Sequence, residues 1–362
     1  MKKLLLKSSL MIFFITLSLT ILYFIPVNSP NYLASTIEKH NLLRKTLPPR
    51  IIFIGGSNIA FGLDSEMIQK KLHYPVINIG LYGHLGLKFM LNEVKPYIKA
   101  KDILVIIPEY EQFFGSLCDG KRDTLMLMLD VNPPSIKYFT LNQIIRTIPT
   151  LFNYKRRTLV YLIKGSVPFD PIYCRNAFNK NGDVIIHLRD WYQIDDAVAK
   201  KLKNKINPDK FKNIKELKYI KFQKQELTDT LEKLDFNREE IDLISSASII
   251  RQRMGLPNLI AEKLNTHTIF LLNKFKLYAR KRQAKVFFIY PNYSLREYKI
   301  NKKQIISLKK ELEENLLIEI IGSPENYVFP DNYFFDTNYH LMEEGRKIRT
   351  DKVIEDLKKV IN

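Results

Sequence analysis

Cysteine is almost missing. Cys118 and Cys174 are the only two in 362 residues. That excludes a disulfide-stapled scaffold and a cysteine-based metal cluster. Two readings stay open: one Cys118–Cys174 bridge in an oxidising compartment, or two buried free thiols. The choice depends on how closely their Cα atoms approach. Tryptophan occurs once, at Trp191, and glycine only 13 times. Gly55 and Gly56 are too few for a dinucleotide fingerprint, and no Walker-type phosphate loop is present. The six histidines have no metal-ligand spacing, so neither a catalytic metal nor any other cofactor is expected. Acidic residues are scarce too: 38 against 57 basic ones, a formal charge of +19. A lysine-biased composition with solvated faces accounts for that excess, and so does attraction to a polyanion such as an envelope polymer. Nucleic acid is not expected as a partner, because the N-terminus directs the chain out of the cytoplasm.

What is present describes a folded protein. Hydrophobic residues make up 46% and aromatic residues 12%, well above a disordered composition. The chain starts with Lys2, Lys3 and Lys7, followed by an uncharged stretch from Ser8 to Val27. About twenty apolar residues suffice for a membrane-spanning helix. Tyr23 and Phe24 near its far end fit an interfacial position, and the preceding lysines place the N-terminus inside. A cleaved signal peptide is the competing reading, with "LAST" at 33–36 a poor cleavage site. Either way the remainder is expected outside the cytoplasm, in the bacterial periplasm or at the cell surface.

The expected organisation follows from pattern. Residues 1–28 read as a signal anchor and 29–49 as a juxtamembrane stalk ending at Pro48-Pro49. Apolar runs at 51–54, 75–80 and 102–108 alternate with helical patterns at 64–72 and 85–100, the second disturbed by Pro96. Runs at 285–291 and 316–322 resume the alternation, between a helix at 268–283 and a terminal helix at 341–361. Near-continuous apolar strands separated by helices imply a parallel sheet covered on both faces. Residues 50–115 and 266–362 are thus two parts of one α/β domain. Between them, 116–265 reads as a mostly helical insertion or cap, with a hairpin turn at Asn181-Gly182 and a helix over 227–254.

Chemistry concentrates at "FIGGSNIAFG", residues 53–62. Ser57 follows the first strand directly, at the sheet edge where open α/β folds bind ligands. A serine needs a base to become nucleophilic, and the base needs a carboxylate to orient it. His340 has an aspartate just upstream, Asp336, in "FFDTNYHLMEEG" after the last strand. Ser57, His340 and Asp336 are therefore the expected catalytic residues. Asn58, Tyr82, His84 and Tyr110 are candidates to line the substrate site, although packing explains each aromatic as well.

These segments resemble the SGNH (GDSL-like) hydrolase superfamily. "GGSN" is similar to its nucleophile block, "NIGLYG" to its second block, and "DTNYH" to its Asp/His block. The resemblance covers roughly 50–115 and 285–362. It implies a three-layer sandwich around a parallel five-stranded sheet, flavodoxin-like in layout, and an oxyanion hole built from the N–H groups of Ser57 and Gly80. The chain looks most like the membrane-anchored branch that includes the alginate O-acetylation proteins and the teichoic acid D-alanine transfer protein. That implies a serine esterase or O-acyltransferase working on an envelope glycan, partnered by a multi-pass membrane acyltransferase. One block departs: the family's Gly-x-Asn-Asp is replaced by "IIPEYEQF" at 107–114, with no asparagine. Asn292 in "YPNYS" is the candidate substitute donor, and Glu109 and Glu111 are poor donors while ionised. The departure leaves a second possibility open, an inactive SGNH-fold protein that binds or assembles an envelope polysaccharide.

Overall fold

The computed structural model describes residues 2–24, 29, 31–150, 175–185, 259–260, 263–334 and 337–361. Strands arise where β-branched and aromatic residues run together. They are β1 (Ile51–Gly55), β2 (Val76–Asn78), β3 (Ile103–Ile107), β4 (Lys285–Ile289), β5 (Tyr293–Ser294), β6 (Glu319–Ile321) and β7 (Val328–Phe329). Five of them form one parallel sheet in the order β2-β1-β3-β4-β6, and β5 pairs with β7 separately. The chain is an α/β protein, and each of the five apolar runs read from the sequence supplies a strand of the central sheet. Every residue of β1 and β3 is buried, as the absence of alternation in their sequences requires. Gly55 pairs with Ile107, so β1 and β3 end side by side. The winding direction reverses between these two strands, which opens a crevice at their carboxyl ends.

Helices follow their sequence signals. In α4 (Ser65–Leu72) the side chain of Asp64 accepts from the Met67 N–H, as an N-cap should. Helix α5 (Leu87–Val94) gives way to a 3₁₀ turn at Lys95–Tyr97, where Pro96 cannot continue the α-helical ladder. Beyond β3 come α6 (Arg122–Val131), α7 (His267–Arg280), α8 (Leu295–Asn315) and α9 (Glu343–Ile361). The last buries Val353, Ile354 and Leu357. Two short helices precede these: α2 (Thr36–Lys45) and α3 (Ser57–Gly62).

Two expectations meet a different structure, and the choice left open for the cysteines is decided at Cys118. First, α1 (Lys2–Phe24) is a single helix, but among the described residues no helix is long and apolar enough to cross a membrane. Second, residues 31–45 are no free stalk. Leu33, Ala34 and Leu43 join the core, and the Lys39 and His40 side chains are buried with them. Cys118 is a buried free thiol and not half of a disulfide. It sits against Asn265, whose Nδ2 donates to its sulfur over 3.5 Å, and burial pushes its pKa up. Cys174 lies outside the described residues, as do Trp191 and the helix expected over 227–254.

The hairpin at Asn181-Gly182 forms, with a Phe178–Val184 antiparallel bridge and Gly182 at φ +91°. It docks on the carboxyl edge of β2. Asp183 accepts from the Ser65 backbone N–H (2.8 Å), the Ser65 hydroxyl (2.6 Å) and Asn78 Nδ2 (2.8 Å). Lys39 Nζ donates to the carbonyls of Asn78 (3.0 Å) and Gly182 (2.5 Å). Burial lowers the Lys39 pKa to about 7, against the pull of Asp183 and Glu93. The insertion is thus tied by a buried polar network to the strand that precedes the site.

Candidate active site

Helix α3 carries the candidate nucleophile. Strand β1 ends in two glycines and the chain turns into α3 at Ser57, which is 9% exposed. Gly56 leaves room for Glu109: a Cβ there would lie 2.5 Å from Oε2 of Glu109 and 2.6 Å from its carboxyl carbon, so a side chain would have to displace that carboxyl. The helix is fixed from below and behind. Asn58 Nδ2 donates to the Ile107 carbonyl (3.0 Å), and Arg349 of α9 donates through Nη1 to the Asn58 carbonyl (2.6 Å). Asn58 is fully buried, so it bolts α3 to β3 and is not a substrate contact. That corrects the role expected for it.

His340 reaches the same helix. Its ring lies flat on Phe61, centroids 3.7 Å apart and planes 6° from parallel. Phe61 is one turn beyond Ser57, so the two side chains share a helix face about 5–6 Å apart at Cβ. The imidazole therefore borders the helix face that bears the Ser57 hydroxyl. The loop that presents it is held firmly. Thr337 Oγ1 accepts from the N–H groups of Tyr339 (3.2 Å) and His340 (3.1 Å). Asn292 Nδ2 donates to the Tyr339 carbonyl (2.7 Å). The Tyr339 hydroxyl accepts from the Tyr110 N–H (2.9 Å) and donates to Glu111 (2.6 Å). Asp336 lies outside the described residues.

The expected oxyanion hole is differently furnished. The Gly80 N–H is spent on Asn78 Oδ1 at 2.9 Å. Gly80 instead allows close approach: a Cβ there would strike Ile59 and sit 2.7 Å from the Gly56 carbonyl and 2.8 Å from the Ala60 nitrogen. Asn292 is fully buried with its amide nitrogen committed to Tyr339, so it positions the His340 loop and is no free donor. The group that stands at the Ser57 backbone is Glu109. Its Oε1 accepts from the Asn58 N–H at 3.4 Å. Burial raises its pKa to about 7, Glu111 adds to the rise, and hydrogen bonds from the N–H groups of Asn58 and Ser57 oppose it.

Of the expected lining residues, Tyr82 and His84 keep exposure and meet edge to face at 4.9 Å. Burial, and then Lys121, lowers the His84 pKa to about 4, so it is a neutral imidazole. Tyr110 is fully buried, packed edge-on against Tyr293 at 5.1 Å; it belongs to the core, which corrects its assignment as a lining residue. Arg349 and Tyr339 were not legible as site supports. Arg349 is one basic residue among 57, and only the fold shows that its guanidinium is fully buried behind α3. Burial lowers its pKa to about 9.

No family model matches the chain, and no curated protein matches it.

One consequence concerns Gly80. Gly80→Ala is expected to cost about 1–3 kcal/mol, because the added methyl meets backbone on two sides and cannot be relieved by a rotamer change. Urea unfolding checks it; an unchanged midpoint would refute the packing role.

Proposed function

We propose that the chain is a serine esterase or O-acyltransferase of the SGNH type, acting outside the cytoplasm on an envelope glycan. The observation that carries the reading is the Phe61–His340 stack, which puts the imidazole against α3 one turn beyond Ser57, at the sheet edge where such folds bind ligands. The segments "GGSN", "NIGLYG" and "DTNYH" support it by their order along the chain. His340 takes the Ser57 proton as the hydroxyl attacks an ester carbonyl. Asp336 is assigned the orienting carboxylate. The tetrahedral intermediate collapses to an acyl-enzyme, and His340 returns the proton to the leaving alcohol. Water then releases the acid, or a sugar hydroxyl accepts the acyl group. The extracytoplasmic location rests on the lysine-flanked uncharged stretch at 8–27, read as an export signal, with a multi-pass acyltransferase as the proposed donor partner.

The second reading, an inactive fold that binds an anionic glycan, draws support from Glu109. An ionised carboxylate beside the Ser57 and Asn58 N–H groups would occupy the donors that an oxyanion needs. A membrane-impermeant fluorophosphonate probe separates the readings. On intact cells, wild type is expected to label and Ser57→Ala not to label. Labelling that needs cell lysis would refute the location alone, and absence of labelling in folded, lysed wild type would refute the enzyme.

A further inference from the structure

The carboxyl of Glu109 occupies a pocket that the sequence has cleared for it. Both neighbouring segments present glycine: Gly56 after β1 and Gly83 after β2, where a Cβ would stand 3.0 Å from the carboxyl carbon. The side chain is 4% exposed. Its two oxygens are not equivalent. Oε1 takes the Asn58 N–H, whereas Oε2 is buried with no hydrogen-bond partner. A carboxylate with one idle buried oxygen is costly. A neutral carboxylic acid is not, provided that Oε2–H has something to donate to. The candidate nucleophile is the residue next to Gly56, and its backbone N–H bonds this carboxyl, so Glu109 stands beside the residue that would attack an acyl carbonyl.

Resting on the hydrolase reading, we infer that Glu109 in its neutral form is the side-chain oxyanion donor: Oε1 stays on the backbone N–H groups and Oε2–H donates to the developing oxyanion. The structure has Glu109 just after β3, at the sheet edge where the missing asparagine was expected. The ionised form does the opposite. It repels the growing negative charge and has no proton on Oε2 to donate. A carboxylic acid held neutral by burial donates well at neutral pH, and one donor of this kind is typically worth about 10²–10³ in rate.

The charged and titratable groups around Glu109 set its balance. Glu111, on the same segment, favours the neutral form. Tyr339, from the loop before α9, feels the charge of Glu109 and has its own pKa raised, mainly by burial. Arg349, from α9, is a buried cation that feels Glu109, which raises its otherwise lowered pKa. His84, beside Gly83, is neutral, and α3 itself carries no charged residue. Burial outweighs the backbone N–H groups that favour the anion, which leaves Glu109 titrating near 7.

The test is the rate of Ser57 phosphonylation by a soluble fluorophosphonate on the full-length protein in detergent, from pH 5.5 to 9. Wild type is expected to lose rate above about pH 7, approaching tenfold per pH unit as Glu109 ionises. Glu109→Gln offers an amide N–H in the same place that does not ionise. Its alkaline fall should vanish, and at pH 9 it should react about tenfold or more faster than wild type. Ser57-dependent labelling whose rate holds or rises from pH 6 to 9 in wild type overturns the inference and leaves the hydrolase reading intact. So does an alkaline fall that persists in Glu109→Gln. Absence of Ser57-dependent labelling at every pH overturns both. If the variant fails to fold, the wild-type profile alone decides.

Discussion

His340→Gln is expected to slow Ser57 phosphonylation by roughly 10⁴-fold or more, with the fold retained. The size follows from the role: without a base the serine stays protonated, and removing the histidine of such a unit costs about as much as removing the whole unit. Glutamine is flat, polar and close in length. It can still lie over Phe61, where the imidazole now stacks at 3.7 Å, and its backbone N–H still donates to Thr337 Oγ1. The structural loss is then limited to an aromatic pair worth about 0.5–1.5 kcal/mol, a melting shift of only a few degrees in a chain of this size. A rate within tenfold of wild type, in protein with an unchanged circular dichroism spectrum, would remove His340 from the mechanism.

The ease of that substitution reflects how the site is supported. Four segments far apart in sequence meet at the carboxyl ends of β1 and β3, and each is held by main-chain hydrogen bonds. Asn58 ties α3 to β3 and Arg349 ties α9 to α3. Asn292 ties the segment after β4 to the His340 loop, and Tyr339 ties that loop to the segment after β3. The bonds fix backbone positions, so side chains at the centre can change without moving their neighbours.

The sheet was legible because apolar runs of β-branched residues have few alternatives. The helix break at Pro96 and the Asn181-Gly182 turn follow from local backbone chemistry, and both stand in the structure. What the sequence concealed depends on side chains meeting across long separations. Gly80 looked like an oxyanion donor because its place after β2 is visible; that Asn78, two residues earlier, takes its N–H is not. Tyr110 looked available in a loop, yet its ring turns inward onto Tyr293. Glu109 looked like an ill-suited anion, and only the fold shows that it is buried beside Gly56 and Gly83 and that burial raises its pKa to about 7. Residues 31–45 looked like a tether because polar residues predominate. Lys39 and His40 nonetheless find buried partners in Asn78 and Glu93.

Stability is anchored at the opposite edge of the sheet, and the second large effect is expected there. Asp102→Ala should destabilise the fold by about 3–5 kcal/mol. Arg50 immediately precedes β1 and Asp102 immediately precedes β3, and both are fully buried. The guanidinium donates from Nε to Asp102 Oδ1 (2.9 Å) and from Nη2 to Oδ2 (3.2 Å). Its other bonds reach the carbonyls of Leu43 (2.5 Å), Thr46 (2.8 Å) and Tyr97 (2.8 Å). One cation therefore fastens α2, the turn after α5 and the starts of β1 and β3. Alanine at 102 strands that cation in the interior with no counter-charge, and also frees the Lys99 N–H that Asp102 now accepts at 2.8 Å. Adding Arg50→Met removes the stranded charge, so the double variant should lose less than the single one, and the cycle isolates the coupling. Strand β1 separates this clasp from Ser57 by about 17 Å, so the folded fraction should keep its labelling rate. A guanidinium chloride midpoint for Asp102→Ala that corresponds to less than about 1 kcal/mol of destabilisation would show that water reaches Arg50 in solution and that the clasp contributes little.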